Sequence, residues 1–157
     1  MSEAQSTNPT RTKLDGITPI FRVESLPASI DYYLNVLGFK LNWHAEGIMA
    51  SVSRDRCSIM LCEGAQGKPG TWVWIGADDV ERLWEEFKQK GAKLRHPPTN
   101  YPWAYEMQIF DLDGHVLRFG ADNKKDEPYG EWLEEDGTRW LNGVRVGDLG
   151  SGTGAGE

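Results

Sequence analysis

Apolar residues at Ile30, Tyr33, Leu34 and Leu37 follow the i, i+3, i+4, i+7 spacing of one helix face. Ser25 can cap that helix, Pro27 fits its first turn and Gly38 stops it. The arrangement returns at Val80, Leu83, Trp84 and Phe87, with Asp78 or Asp79 as cap and Gly91 as stop. The remaining apolar runs are short and extended. Ile17–Val23, Leu41–His44, Ile48–Arg54 and Cys57–Glu63 predict four strands, with turns at Glu46-Gly47 and Asp55-Arg56. Thr71–Ile75, Lys93–His96, Glu106–Phe110 and His115–Gly120 predict four more. Pro19 restricts its strand to a start or an edge. Pro97, Pro98 and Pro102 mark a stiff loop carrying Tyr101 and Trp103, and Gly64–Gly70 reads as a linker.

The last two strands are joined by Asp111-Leu112-Asp113-Gly114, where Asp favours the turn start and Gly takes the positive φ of a tight hairpin. In the second of these strands Leu117 and Phe119 share one face, while Val116, Arg118 and Gly120 share the other. An arginine in mid-strand is out of place in a plain core. A half-solvated strand is the ordinary explanation.

The two halves match in register. Leu37-Gly38-Phe39-Lys40-Leu41 corresponds to Lys90-Gly91-Ala92-Lys93-Leu94, an offset of 91 − 38 = 53 residues, and Ile30 and Leu34 map to Leu83 and Phe87 at the same offset. Each half runs strand, helix, strand, strand, strand. A repeated unit that cannot bury its own face implies a core shared by the two copies.

Composition narrows the classes of function. The chain has 157 residues, 39% hydrophobic and 26% charged, which suits one globular domain. A net charge of −7 argues against nucleic acid and is compatible with a cationic partner. No apolar run approaches the roughly 18 residues of a membrane span. Cys57 and Cys62 share one strand, about 16 Å apart in extended chain, too far for a disulfide. Reduced thiols and a polar Met1–Asp15 without an apolar core lead to the expectation of a cytoplasmic protein without a signal peptide. Seven tryptophans are many for this length, and flat rings serve both cores and pockets for aromatic ligands.

A doubled βαβββ unit, the Leu37-Gly38-Phe39 after the first helix and the Asp-Leu-Asp-Gly hairpin together resemble the vicinal oxygen chelate superfamily, which includes glyoxalase I, extradiol dioxygenases, and fosfomycin and bleomycin resistance proteins. The resemblance covers about Ile17 to Asp122 and departs at Leu112, where the family's turn has Pro. It implies an α+β fold in which two βαβββ units pair as an open half-barrel around a cleft. Composition and the internal repeat divide the chain into a flexible lead (1–16), one domain with repeats at 17–63 and 71–122, and a C-terminal extension (123–157) whose Gly-rich last part is expected to be mobile. Trp132, Leu133, Trp140 and Leu141 suit that extension to docking on the sheet.

Metal-using members of this superfamily place ligands on the first, fourth, fifth and eighth strands. Carried over by matched segments, those positions are Thr18, Met60, Trp72 and Arg118. A hard divalent cation needs imidazole nitrogen or carboxylate oxygen, and an arginine repels it, so no metal and no cofactor is expected. A slip of one residue in the match supplies no ligand set either. His44, His96 and His115 remain an alternative trio, although surface histidines at strand ends are commoner. Glu63 sits at a strand exit, where a solvated role is the simpler reading. Cys62 as a nucleophile would need a base beside it.

Three further segments are similar to the bleomycin resistance binders: Trp43 four residues after Phe39, Trp72-Val73-Trp74, and Trp103-Ala104-Tyr105-Glu106. In those binders aromatics line a groove between two subunits. The resemblance therefore assigns Trp43, Met60, Trp72, Trp74, Trp103, Glu106 and Arg118 to a ligand cleft and predicts a homodimer. Each aromatic can equally fill a packed interior. Glu106 suits a cationic ligand and Arg118 an anionic or carbonyl-rich one. The expected function is metal-independent sequestration of an antibiotic such as bleomycin. A metal-dependent glyoxalase-like lyase or dioxygenase is the alternative, and a regulatory module docking through its Trp132–Trp140 segment is a third reading.

Overall fold

The computed structural model describes residues 11–12, 14–134 and 136–147. The lead expected at 1–16 and the mobile end expected near 147–157 fall largely outside them. Strand β1 (Ile20–Arg22) leads through extended Ser25 into helix α1 (Leu26–Asp31). The Ser25 hydroxyl accepts the Ala28 N–H, and Pro27 occupies the first turn, where its missing N–H is not needed. The helix widens into a π turn at Tyr32–Val36, and Leu37 N–H reaches the Tyr32 carbonyl at 3.1 Å. Gly38, at φ 74°, reverses the chain there, and Phe39 N–H bonds back to the Tyr33 carbonyl. A meander of β2 (Lys40–Ala45), β3 (Met49–Arg54) and β4 (Cys57–Cys62) completes the first unit.

The second unit repeats it. Strand β5 (Trp72–Gly76) precedes α2 (Val80–Gln89), which the Asp79 side chain caps at Arg82 N–H and Gly91 ends at φ 77°. Strands β6 (Lys93–Asn100), β7 (Tyr105–Phe110) and β8 (Val116–Ala121) follow. Strand β6 extends beyond the expected His96, through Pro97 and Pro98. It is the edge of its sheet and its ladder is interrupted between His96 and Thr99, so the missing proline N–H groups break no bond.

The sheets run β1-β4-β3-β2 and β5-β8-β7-β6, each with one parallel pair, β1 with β4 and β5 with β8. This is the α+β arrangement of two βαβββ units. One core joins them: Phe21, Leu26, Tyr33, Leu37 and Leu61 of the first unit pack with Phe87, Met107, Ile109, Leu117 and Phe119 of the second. Burying each such side chain contributes about 2 kcal/mol.

The Asp-Leu-Asp-Gly hairpin lies at the junction. Buried Asp111 accepts from Tyr33 Oη at 3.0 Å and from the Asp113 and His115 N–H groups. Asp113 accepts from Glu24 N–H and from the Ser29 hydroxyl. Tyr32 Oη donates to the Phe110 carbonyl and accepts Lys93 N–H. His115 is not the surface histidine expected from its place after the turn. It is fully buried and stacked on Phe21 with ring centroids 4.4 Å apart. Its Nδ1 accepts Thr71 N–H, so Nε2 carries the proton and donates to the Arg22 carbonyl at 2.6 Å. Strand β1 of the first unit and the residues that lead into β5 and β8 of the second meet on one imidazole. Glu63 has a task as well: its Oε2 accepts Leu26 N–H at the start of α1.

A third sheet, β9 (Trp132–Leu133), β10 (Arg139–Leu141) and β11 (Val144–Arg145), follows. Buried Asn100 anchors the chain leading to it. Its side chain accepts Lys124 N–H and donates to the Lys124 and Glu127 carbonyls, while its own carbonyl accepts Gly130 N–H. No helix among the described residues is long and apolar enough to cross a membrane.

Candidate functional site

Each sheet buries one face against the helices and leaves the other open. Strand alternation fixes which side chains stand on the open faces. On the second sheet the cross-strand register aligns Trp72 with Val116 and Phe110, and Trp74 with Arg118 and Gln108. On the first, Ile20, Met60 and Ser51 form the equivalent row.

A β-bulge extends both rows. In β2 the register shifts between Leu41, opposite Val52, and Trp43, opposite Ser51. Val52 faces the core and Ser51 the open side, so the extra residue Asn42 turns Trp43 outward. Asn42 is pinned there, donating to Ser51 Oγ at 3.1 Å and accepting from Ser53 Oγ at 2.8 Å. The second unit does the same at the same sequence offset. Leu94 opposes Ile109 and His96 opposes Gln108, with Arg95 the extra residue, its guanidinium hydrogen-bonded to Gln108 Oε1.

The second open face is a set of arginines laid on rings. Arg118 Cζ sits 5.2 Å from the Trp74 ring centroid; Arg95 Cζ sits 4.9 Å from Trp72 and 5.5 Å from Phe110. Trp72 and Trp74 remain 52% and 47% exposed. The six-membered ring of Trp74 lies against Gly120: a Cβ built there would fall 2.0 Å from the indole, so only glycine leaves room for that pose. Arg118 reaches diagonally to Glu106, with Nε on Oε2 at 2.8 Å and Nη2 on Oε1 at 2.7 Å. Glu106 is 2% exposed and also accepts Trp103 Nε1 at 3.1 Å. These hydrogen bonds to Glu106 hold the Arg118 guanidinium above its ordinary pKa.

Five of the seven residues assigned from sequence, Trp72, Trp74, Trp103, Glu106 and Arg118, thus meet on one sheet. Trp43 and Met60 stand on the other. Trp103 is shared: it stacks on Tyr101 with centroids 4.8 Å apart and meets Trp132 edge-on at 5.1 Å, and Trp132 in turn stacks on Trp140. Part of its surface is therefore taken by the β9–β10 segment. Arg95, Gln108, Phe110 and Gly120 were missed from sequence. Counting alternate positions from Arg118 across the register would have found Phe110 and Gln108. The repeat offset from the Leu-Asn-Trp segment would have pointed to Arg95.

The positions carried over for metal ligands do not fit a metal. Met60 and Trp72 offer no hard donor, Thr18 precedes β1, and Arg118 places a cation where the ion would sit. Glu106, the carboxylate within reach, already has both oxygens engaged. The three histidines lie apart: His115 is consumed at the junction, and His96, at the position equivalent to Trp43, pairs with Tyr101 Oη at 3.2 Å. Among the described residues no three His, Cys, Asp or Glu side chains cluster as a metal site would require. None of the seven lines the concavity of about 600 Å³ between the units, bordered by Phe39, Cys57, Ile75, Arg82 and the paired Arg54 and Glu86.

The fold recurs in proteins of differing description. The bleomycin-binding protein of bleomycin-producing Streptomyces verticillus, whose crystal structure contains copper(II)-bleomycin, superposes with a TM-score of 0.62 at 20% identity, covering 72% of this chain and 100% of that one. TioX from Micromonospora sp. ML1 gives 0.59 at 19% identity, covering 68% and 98%. A lactoylglutathione lyase from Agrobacterium tumefaciens gives 0.58 at 18%, covering 69% and 95%. A binder and a lyase match equally well, so these likenesses establish the fold and leave the activity to the site. No curated protein shows significant sequence similarity to the chain. The family's sequence profile matches residues 13–119, and the chain belongs to the Glyoxalase/Bleomycin resistance protein/Dioxygenase superfamily.

Proposed function

We propose that this protein is a metal-independent small-molecule binder that sequesters a flat ligand, such as a bleomycin-type antibiotic, on the open face of its second sheet. The observation that carries the reading is the pair of half-exposed indoles, Trp72 and Trp74, each held beside a guanidinium on a rigid sheet. Large aromatic surface left uncovered on regular structure marks a binding face. Preset ring positions spare a ligand much of the cost of ordering its site.

Magnitudes indicate what else is needed. Micromolar affinity takes about 8 kcal/mol. Stacking on an indole contributes roughly 0.5–1.5 kcal/mol beyond burial. Two rings alone fall short, and burial of the ligand between two walls supplies the rest. The second wall in this reading is the first-sheet face of another copy, bearing Trp43 and Met60, which makes the binding unit a homodimer.

Titration with bleomycin and with flat heteroaromatic acids, followed by tryptophan emission, tests it. Saturable quenching at micromolar concentration of at least one of them is expected, with affinity lowered at least tenfold in Trp72→Ala and Trp74→Ala. Sedimentation equilibrium should give twice the chain mass. An emission trace that stays flat for bleomycin and for other flat heteroaromatics overturns the reading. A stoichiometric transition ion in the purified protein would favour the lyase or dioxygenase alternative.

A further inference from the structure

We infer that the ligand of this face carries an anionic group, a carboxylate or similar planar oxyanion, beside its flat ring. The inference rests on the proposed binding role and narrows its ligand class to flat molecules with an acidic group, which places bleomycin, with its cationic tail, on the disfavoured side. Sequence left the sign of charge undecided, because Glu106 and Arg118 point to opposite ligands. The geometry separates them. Glu106 lies 2% exposed beneath the face, and its oxygens take three hydrogen bonds, two from Arg118 and one from Trp103. It has no surface left to offer a cationic ligand. Arg118 spends Nε and Nη2 on that carboxylate, its side chain stays 31% exposed, and its Nη1 has no hydrogen-bond partner among the described residues.

Arg95 adds the larger share. It is exposed, lies over Trp72 and Phe110, and is tethered by Gln108, a neutral side chain. Among the described residues no carboxylate pairs with it. In the rows that make the face (Trp72, Trp74, Arg118, Phe110, Gln108 and Glu106, with Arg95 beside them) the accessible charge is therefore cationic, although the whole chain carries −7. Guanidinium forks beside ring surfaces suit a planar group that accepts two parallel N–H bonds while its aromatic body stacks. A cationic ligand would meet two like charges and no free acceptor carboxylate.

Calorimetric titration of the full chain with three probes of one ring, 2-naphthoate, 2-naphthamide and 2-naphthylmethylammonium, tests this. Naphthoate is expected to bind at least tenfold tighter than the ammonium probe, with the amide between and the preference shrinking as salt is raised. Arg95→Gln should bring the naphthoate-to-amide affinity ratio close to one, and Arg95→Lys should keep most of it. Arg95 is exposed, so circular dichroism of both variants should match the parent. Equal binding of the three probes, a preference for the ammonium, or an unchanged ratio in Arg95→Gln overturns the inference and leaves the ring-binding face standing. Failure of all three probes to bind at millimolar concentration removes the binding role itself and the inference with it.

Discussion

The two sheets share a backbone plan as far as the bulge in their edge strands, yet their open faces differ in kind. Position for position, Ile20, Met60 and Ser51 of the first face Trp74, Arg118 and Gln108 of the second, and Asn42 with Trp43 stand where Arg95 and His96 do. The buried faces stay alike, apolar on both sides of the shared core. Divergence is confined to the side that packing does not constrain. A duplicated frame can thus present a neutral wall and a cationic-aromatic wall without cost to its interior.

The comparison breaks first at Arg118. Replacing it by Met, the residue at the first sheet's equivalent position, strands the Glu106 carboxylate in the interior with the Trp103 N–H alone. Breaking such a pair should cost about 3 kcal/mol, the low end for a buried ion pair because Arg118 keeps some water. Urea unfolding of Arg118→Met measures it. Adding Glu106→Leu should restore most of the loss, since an apolar pair needs no partner there. No recovery in the double variant would mean that Arg118 acts through packing alone.

The next difference is smaller. Gly120 corresponds to Cys62 of the first sheet, where no tryptophan lies across the strand. Gly120→Ala should force the half-exposed Trp74 ring to swing aside and cost about 0.5–1.5 kcal/mol, the penalty of an unfavourable rotamer. A thermal melt gives the loss, and a shift of the emission maximum reports the moved indole. The smallest effect concerns the junction rather than the faces. Burial raises the pKa of Tyr32, Tyr33 and Tyr101, and that of Tyr105 is pushed up to about 12 by burial and the Glu81 carboxylate it bonds. A raised folded pKa gives stability that is whole below the unfolded value near 10 and is lost as pH climbs through the folded value. Denaturant midpoints should therefore hold from pH 8 to 9.5 and decline above 10. Tyr33→Phe, which removes the hydroxyl that reaches Asp111, should flatten part of the decline.

Much of the frame was legible in the sequence, because its signals are local. Ser25, Asp79, Gly38 and Gly91 mark helix ends by their own chemistry, and the repeat offset exposed the duplication. What stayed hidden depends on partners distant in the chain. His115 is buried because Arg22 and Thr71 meet it, 93 and 44 residues away. Pro97 and Pro98 sit in a strand because its neighbour asks for no N–H there. Trp103 gives part of its surface to Trp132 only once the Asn100 anchor folds the extension back. Of the candidate site, residue types and the strand of Arg118 were readable. The loss of Glu106 beneath the surface required the register, and Arg95 was readable only by carrying the repeat offset across from Asn42.

The paired bulges carry a consequence for engineering. An inserted residue in a β-ribbon acts on parity, as an extra step does for a walker counting left and right. Deleting Asn42 would shorten β2 without turning its outer half. Trp43 would follow Leu41 directly and keep its place opposite Ser51, with His44 still opposite Ala50, and removing Arg95 would likewise leave His96 opposite Gln108. A single-residue deletion elsewhere in either strand, with the bulge left in place, would instead exchange inside for outside along the rest of that edge.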